Sequence, residues 1–587
     1  MTSTVPPALI FVIGAFFIPF IKGKAKSIYL LLLPVIGFIN LLNIPVGTHW
    51  VVNFLDSDLV FGQVDKLSLV WGYIFHIIAF LSILYAIHIK NDLEYWATFL
   101  YAGSALGVVF SGDLISLFCF WELMTIGSAC LILARRTQRA YEAAFRYTLV
   151  HVAGGLILLA GIIIHISTTG SIEFKFLGLD SPGAWLIFIG FGVNCAWPIL
   201  HAWLPDAYPE ATFSGAVVLS TFTTKTAVYV LARAFPGADV LILIGASMTV
   251  FPIFYALVEN DLRKVLSYSL IDQVGFMVVG IGIGTELALN GVAAHAFCHI
   301  LYKALLFMSM GSVLHMTGKI KATDLGGLSK YMPLTFIFCV VGAASIAGLP
   351  FFNGFISKTM IIDAAGSGHY SYAWLALMFA SASAIIIPGI KVPYLAFLGK
   401  ESSTVTASEA PKNMLIAMGI TAFLCVFIGV VPSTLYSILP FPVDYVPYTI
   451  AHVITKLQLL LFAAVACIYL MSKGIYPEEL RKIYLDTDWF YRKGGMLFVK
   501  FARCPVEWFD KHFGEAYMKV ITKPGLKFSQ GVWKIFDVEI VDGLVNQTAK
   551  FVRDCGEHVR QYQTGHVRNY AMMMVIGFVI ILYLFIG

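Results

Sequence analysis

Apolar residues in this chain gather into long runs separated by short polar loops. A membrane-spanning helix needs about 20 consecutive, mostly apolar residues. About sixteen such runs follow one another, at 5–21, 28–45, 67–88, 94–110, 114–133, 147–167, 184–204, 213–234, 239–258, 264–283, 290–314, 334–362, 373–398, 413–435, 449–471 and 567–586. The pattern predicts an all-α polytopic membrane protein.

Charge in the loops alternates. Lys22, Lys24 and Lys26 follow the first run, Lys90 the third, and Arg135, Arg136, Arg139 and Arg146 the fifth. Arg263 and Lys264 follow the ninth, Lys319, Lys321 and Lys330 the eleventh, and Lys400 and Lys412 the thirteenth. The intervening loops carry mainly acids: Asp56, Asp58, Asp113, Asp180, Glu286 and Asp444. Basic loops stay cytoplasmic. A missed span would invert the pattern downstream, so its regularity supports the count. It predicts both termini on the non-cytoplasmic side of a bacterial or archaeal cytoplasmic (inner) membrane. The first run, Val5 to Ile21, lacks the basic flank of a cleavable signal and reads as a retained helix.

The stretch 473–566 departs from this pattern. It interleaves Lys, Arg, Asp and Glu with aromatics, as in DTDWFYRKGGMLFVKF, and contains no spanning run. Such a segment suits a helix lying on the membrane surface or along neighbouring subunits; a plain interfacial linker is the alternative. The expected organisation is 1–93 for N-terminal spans, 94–234 and 235–400 for two functional halves, 401–472 for two further spans, 473–566 for the lateral region and 567–587 for a final span.

Composition agrees. Of 587 residues, 59% are hydrophobic and 12% charged, against about 45–50% apolar and about 25% charged in soluble domains. The net charge of +5 is too small and dispersed for nucleic-acid binding. The nine cysteines form no CxxC pair, and several (Cys119, Cys195, Cys298, Cys339, Cys467) lie in apolar runs, as small apolar fillers do. With no phosphate-binding glycine motif either, no cofactor and no metal are expected.

Ionisable residues inside the spans carry the chemistry. A charge at the bilayer centre costs about 2.5–3.5 kcal/mol on insertion scales, so it is kept where it pairs or works. Glu122, Lys225, Asp272, His295, His299, Lys303, Lys358 and Lys391 all lie within apolar runs, with His76, His151 and His201 as further candidates. His295, His299 and Lys303 stand at i, i+4 and i+8, on one helix face. Histidine titrates near neutral pH, so such a row can pass protons. Holding a metal, or bonding between helices, are the competing readings. Glu122 and Lys225 invite pairing as a switch, because a carboxylate that approaches or leaves a buried lysine controls its proton; a static ion pair is the alternative. Lys391 lies nearest a helix end, where snorkelling to the surface is an equal reading.

Helix breakers sit near these charges: Pro198 after Asn194, Gly348 and Pro350 before Lys358, and Pro388 and Pro393 around Lys391. Interrupted helices at corresponding places in two halves mark ion paths in transporters. Runs 4–8 and 9–13 form two five-helix blocks. Glu122 then corresponds to Asp272, broken run 7 to broken run 12, and Lys225 to Lys391. An odd number of spans makes the two blocks inverted repeats.

Seven segments, FWELMTIGS, PILHAWLPDAYPEAT, TTKTAVYVLAR, NDLRKVLSYSLIDQVGFM, HAFCHILYKALLFMSMGSVLH, DLGGLSKYMP and AGLPFFNGFISK, follow in this order over about residues 65–400. Together they resemble the antiporter-like subunits shared by respiratory complex I, Mrp-type cation/proton antiporters and membrane-bound hydrogenases. The resemblance implies that Glu122 is the family's fifth-helix glutamate, Lys225 its eighth-helix lysine, His295, His299 and Lys303 its eleventh-helix polar row, and Lys358 the lysine of the second broken helix. The C-terminal region, with DTDWFYR, VDGLVN and QTGHVRNYA, is similar to the lateral extension of the complex I L-type and Mrp large subunits, which binds along neighbouring subunits. Two positions depart from the family. Its seventh-helix lysine falls nine residues before Trp203, where this chain has Asn194; at Asp272 a neutral residue or histidine is expected.

The resemblance implies an energy-coupling subunit of an Mrp-like multisubunit antiporter, exchanging protons for sodium, with no redox centre of its own. Its alternatives are a proton-pumping subunit of a complex I-like oxidoreductase or membrane-bound hydrogenase, and a structural subunit disabled by Asn194.

Overall fold

A computed structural model of the chain describes residues 4–54, 57–401, 407–477, 479–480, 485–561 and 563–586; the loop acid Asp56 lies outside them. The chain divides into two compact units, Met1–Asp488 and Trp489–Gly587.

The first unit is a helical membrane body. It opens with α1 (Pro7–Phe17) and α2 (Gly23–Leu42), then a two-stranded antiparallel hairpin, β1 (Gly47–Phe54) and β2 (Ser57–Val64), in register Val51 to Val60. The expectation of helix alone missed this hairpin, because its alternating residues fell between two longer apolar runs. Its Val60 N–H donates to Asp113 Oδ2 at 2.8 Å, and Val60 O accepts from Gly112 N at 2.9 Å. Asp113 also caps the next helix through the Ile115 and Ser116 N–H groups, at 2.9 and 2.7 Å. A residue read as a loop acid is thus a buried helix cap.

Then come α3 (Lys66–Ala86), α4 (Asp92–Phe110), α5 (Leu114–Leu133), α6 (Gln138–Thr169), α7 (Pro182–Asn194), α8 (Trp203–Ala207), α9 (Gly215–Leu219), α10 (Thr223–Ala234), α11 (Val240–Val258), α12 (Leu262–Ile283), α13 (Glu286–Thr317), α14 (Pro333–Ala347), α15 (Asn353–Ser367), α16 (Ser371–Ala384), α17 (Lys412–Val430), α18 (Ser433–Tyr436) and α19 (Ile450–Ser472). Among the described residues, twelve helices of the whole chain are long and apolar enough to cross a membrane, and three shorter apolar helices accompany them. Each apolar run of the sequence coincides with a helix or an interrupted helix. The protein is a polytopic, all-helical membrane protein apart from its hairpin.

The interruptions are the informative part. Run 7 stops at Asn194 and resumes at Trp203, after Ala196 and Ile199 take positive φ of 59° and 74° around Pro198. Run 12 breaks between α14 and α15, where Gly348 caps α14 at φ 72°. Run 8 also breaks, between α9 and α10, although TFTTK contains neither glycine nor proline. Run 13 widens into π-helical turns at Ile385–Lys391 and Tyr394–Leu398, at its two prolines.

The most deeply buried spans are the interrupted α9–α10, α12 and α13, with 100%, 100% and 94% of their apolar windows covered. Lipid-facing helices such as α19 show most of their surface, at 22% covered. The ionisable row therefore lies in the best-shielded part of this body.

The second unit holds α20 (Asp488–Tyr517, whose first residue closes the first unit), α21 (Lys523–Trp533), α22 (Gly543–Gln561) and α23 (Val567–Ile586), with π-helical turns joining the first three. α22 carries polar and apolar residues on different faces, and α23 is a candidate span.

Candidate functional site

Three helices bring the second-half residues together. α12 supplies Ser269, Asp272, Gln273 and Phe276; α13 supplies His295, His299, Tyr302 and Lys303; α15 supplies Ser357 and Lys358. All except Phe276 are polar, and all are buried. His295 and His299 stack along α13 with ring centroids 6.0 Å apart. The row then forks. His295 Nδ1 bonds Ser357 Oγ of α15 at 3.0 Å, while the Lys303 ammonium bonds the Ser269 hydroxyl of α12. Tyr302 stitches the branches: its hydroxyl donates to Gln273 Oε1 at 3.2 Å and lies 3.4 Å from His295 Nε2. Gln273 Nε2 in turn donates to Asp272 Oδ2 at 2.8 Å. Asp272 lies in the field of both Lys358 and Lys303.

Lys358 occupies the second break. Its Nζ donates to Ile346 O, at the carbonyl end of α14, at 2.5 Å and sits 5.2 Å over the Phe276 ring. Both contacts favour a cation: the C-terminus of a half-helix carries partial negative charge, and a ring face attracts an ammonium. Several buried polar atoms here have no hydrogen-bond partner among the described residues: Asp272 Oδ1, Asn353 Oδ1 and both ring nitrogens of His299. Groups of this kind are met by water.

The first half is arranged differently. Lys225 stands one turn into α10, past the break at Ser220–Phe222, and donates to Ser220 O at 2.6 Å and Thr224 Oγ1 at 3.2 Å. The break's freed groups are satisfied: Trp71 Nε1 donates to Lys225 O at 2.9 Å and Thr223 N to Tyr101 Oη at 2.9 Å. Glu122 does not meet Lys225. It lies against α6, where a Cβ added to Gly155 would fall 1.9 Å from its Oε1, and that oxygen has no hydrogen-bond partner among the described residues. The pairing drawn from the sequence is not made, because the Ser220 carbonyl freed by the unforeseen break takes the lysine. Lys225 is instead in the field of Lys303, His295 and His299. Lys225 on α10 thus lies near enough to the ionisable row of α13 for their charges to interact.

Residues 111–386 match the family model described as NADH:quinone oxidoreductase/Mrp antiporter, TM. The matched stretch runs from the start of α5 into the π-helical turn after α16. The chain is 29% identical over 427 residues to the L component of the F(420)H(2) dehydrogenase of Methanosarcina mazei, covering 63% of each chain. It is 30% identical over 514 residues to a Na(+)/H(+) antiporter subunit of Alkalihalophilus pseudofirmus, covering 74% of this chain. It spans 63% and 62% of the lengths of these two relatives. Its fold is that of a chain in the membrane-bound sulfane sulfur reductase, an archaeal respiratory membrane complex, with a TM-score of 0.65 at 22% identity over 79% of this chain and 98% of that one.

Within this matched stretch, Asn194 closes α7 where the resemblance expects a lysine; it is buried, and neither its Oδ1 nor its Nδ2 has a partner among the described residues. His151 bonds Tyr147 O at 2.9 Å and packs edge-on to Trp203, and His76 bonds Gly72 O at 2.7 Å. Among the described residues, these two histidines join no ionisable side chain by hydrogen bond.

Lys391 does not snorkel. It is buried, donating to Ala256, Leu257 and Glu259 carbonyls at 3.1, 2.7 and 2.9 Å, with Glu479 at 3.0 Å. The reason is local: the carbonyl end of α11 and a carboxylate from beyond α19 supply the partners that water would otherwise provide. A second acid from that segment does the same elsewhere. Asp486 binds His201 Nε2 at 3.1 Å and accepts from the Tyr268 hydroxyl at 2.7 Å. Burial alone would raise the Asp486 carboxyl, but the His201 and Tyr268 contacts hold it below the ordinary aspartate range.

Sequence reasoning missed Tyr302, Gln273, Ser269 and Ser357, which carry no charge but connect the charges. It also missed Lys456, a lone lysine in the run TKLQLLLF of α19, because that run was set outside both halves.

Proposed function

We propose that this chain is a proton-translocating, antiporter-like subunit of a multisubunit membrane complex, moving protons along Lys225, the His295–His299–Lys303 row, Asp272 and Lys358. The observation that carries this reading is the set of hydrogen bonds and shared fields across α10, α12, α13 and α15, in the most deeply shielded part of the body. Lysines and histidines there alternate with hydroxyls that both donate and accept, as a proton relay requires. Glu122 is a first-half acid held against α6, outside this set of contacts. Lys391, held by Glu479, closes the path at the far end of the second half.

In the antiporter form of this reading, protons exchange for sodium, as the name of the Alkalihalophilus relative suggests. The second form, suggested by the dehydrogenase relative, is a proton-pumping subunit of a redox complex. Subunits co-purifying with the full chain separate the two: small antiporter-type membrane proteins for the first, redox-enzyme subunits for the second. The region 473–566 serves in either case as a brace along those neighbours. The setting is the bacterial or archaeal cytoplasmic membrane, with both termini outside.

Proteoliposomes holding the complete complex test the reading. An imposed ion gradient or substrate oxidation is expected to drive uncoupler-sensitive proton movement. Lys303→Met, which breaks the contact between α13 and Ser269, is expected to slow it about tenfold, or about 1.4 kcal/mol. Unchanged movement would remove Lys303 from the path.

A further inference from the structure

We infer that Lys456 is a second proton-carrying amine at the break between α14 and α15, taking the proton from Lys358 across to α19. The inference rests on the proton-path reading above and extends it beyond the two five-helix blocks.

α19 covers only one face. Ile454, Leu457 and Leu461 are exposed on it, whereas Lys456 is 6% exposed. Its ammonium bonds the Ser381 hydroxyl of α16. A Cβ built on Gly348 would lie 3.3 Å from Lys456 Nζ and 3.1 Å from its Cε, so the glycine that caps α14 also leaves room for this side chain. Lys358 holds Ile346 O, two residues before that glycine. Two lysines from different helices thus converge on the carbonyl end of one half-helix.

A lysine retained for packing alone is a poor choice here. One serine bond returns less than burying an ammonium in a span costs, and among the described residues no carboxylate pairs with it. The half-helix end offers about half a negative charge, which favours one ammonium. Two ammonium groups brought to one half-helix end repel each other, so a proton on one disfavours a proton on the other. That is the arrangement of a two-position relay. In the step, an N–H bond at Lys358 breaks and one at Lys456 forms, directly or through a hydroxyl or water bridge. One amine becomes neutral as the other becomes an ammonium, and proton number and charge are conserved. No oxidant or co-reactant takes part.

The test is proton movement by the complete complex in proteoliposomes, with assembly scored by co-purification. Lys456→Gln keeps a donor for Ser381, and Lys456→Arg keeps the charge without giving up its proton. Both are expected to assemble and to lose at least tenfold in proton movement. Lys358→Met serves as the benchmark. If Lys456→Gln moves protons within twofold of wild type while Lys358→Met is inactive, Lys456 is only structural and this inference alone falls. If Lys358→Met is also active, the proton-path reading falls with it. If neither Lys456 variant assembles, the lysine is a clasp between helices and the inference is overturned.

Discussion

Asp272→Asn is expected to reduce proton movement by the complete complex at least tenfold. The reason is charge balance in the shielded body. Asp272 is the carboxylate in whose field both Lys303 and Lys358 lie, and all three side chains are buried. Asparagine keeps the size of the side chain and a carbonyl to accept from Gln273, so packing is preserved. What it removes is the negative charge. Breaking a buried pair from one side typically costs about 3–5 kcal/mol, because the remaining charge is left uncompensated. In a relay that cost falls on the protonated state itself, so the site no longer holds a proton to pass on. The loss is expected to be partly rescued in the double variant Asp272→Asn with Lys358→Gln for assembly, measured as yield of intact complex, but not for transport. Equal additive losses in yield would show that the two groups act independently. Wild-type transport in Asp272→Asn would exclude the carboxylate from the path.

Asp272 also shows where this chain departs from what the resemblance implies. A neutral residue or histidine was expected there, and a lysine at Asn194. The first half thus lacks an amine at α7, and the second half gains an acid on α12. In the second half Asp272 on α12 lies in the field of Lys358 on α15 and Lys303 on α13, while Glu122 in the first half lies against Gly155 and, among the described residues, forms no salt bridge.

Much of the body was legible in the sequence because lipid imposes a strong pattern. Runs such as 67–88 and 114–133 became α3 and α5 within a few residues. The breaks at Pro198 and at Gly348–Pro350 were also legible, since proline and positive-φ glycine announce themselves. The break at Ser220–Phe222 was not, because it is set by tertiary partners: Trp71 and Tyr101 bind backbone groups next to it. The hairpin at 47–64 was missed for a related reason. Its strands are half exposed and are anchored by Asp113, a residue some 50 positions on.

At the site, position along the chain gave the row on α13 but not the direction in which each side chain turns. His295 and Lys303 share a helix face yet bond to different helices, α15 and α12. Glu122 and Lys225 both lie inside apolar runs yet do not touch. Glu479 and Asp486 were invisible to any local reading, because each acts on a residue far back in the chain, Lys391 and His201 respectively. Two acids from the segment after α19 thus tie that segment to α11, to the break after α7 and to α12.

Lys358 is the residue on which the account depends most. It fills the break between α14 and α15, holds Ile346 O at 2.5 Å, shares its field with Asp272 and stands next in line to Lys456. Methionine keeps an unbranched apolar stem, one atom shorter, while removing the only atom that can bear a proton. The direct measurement is the initial rate of uncoupler-sensitive proton movement by proteoliposomes containing the complete complex, wild type against Lys358→Met, at equal content of assembled protein. A rate below one-tenth of wild type with assembly intact is the predicted result. A Lys358→Met complex that moves protons within twofold of wild type would contradict a proton path through the buried ionisable row.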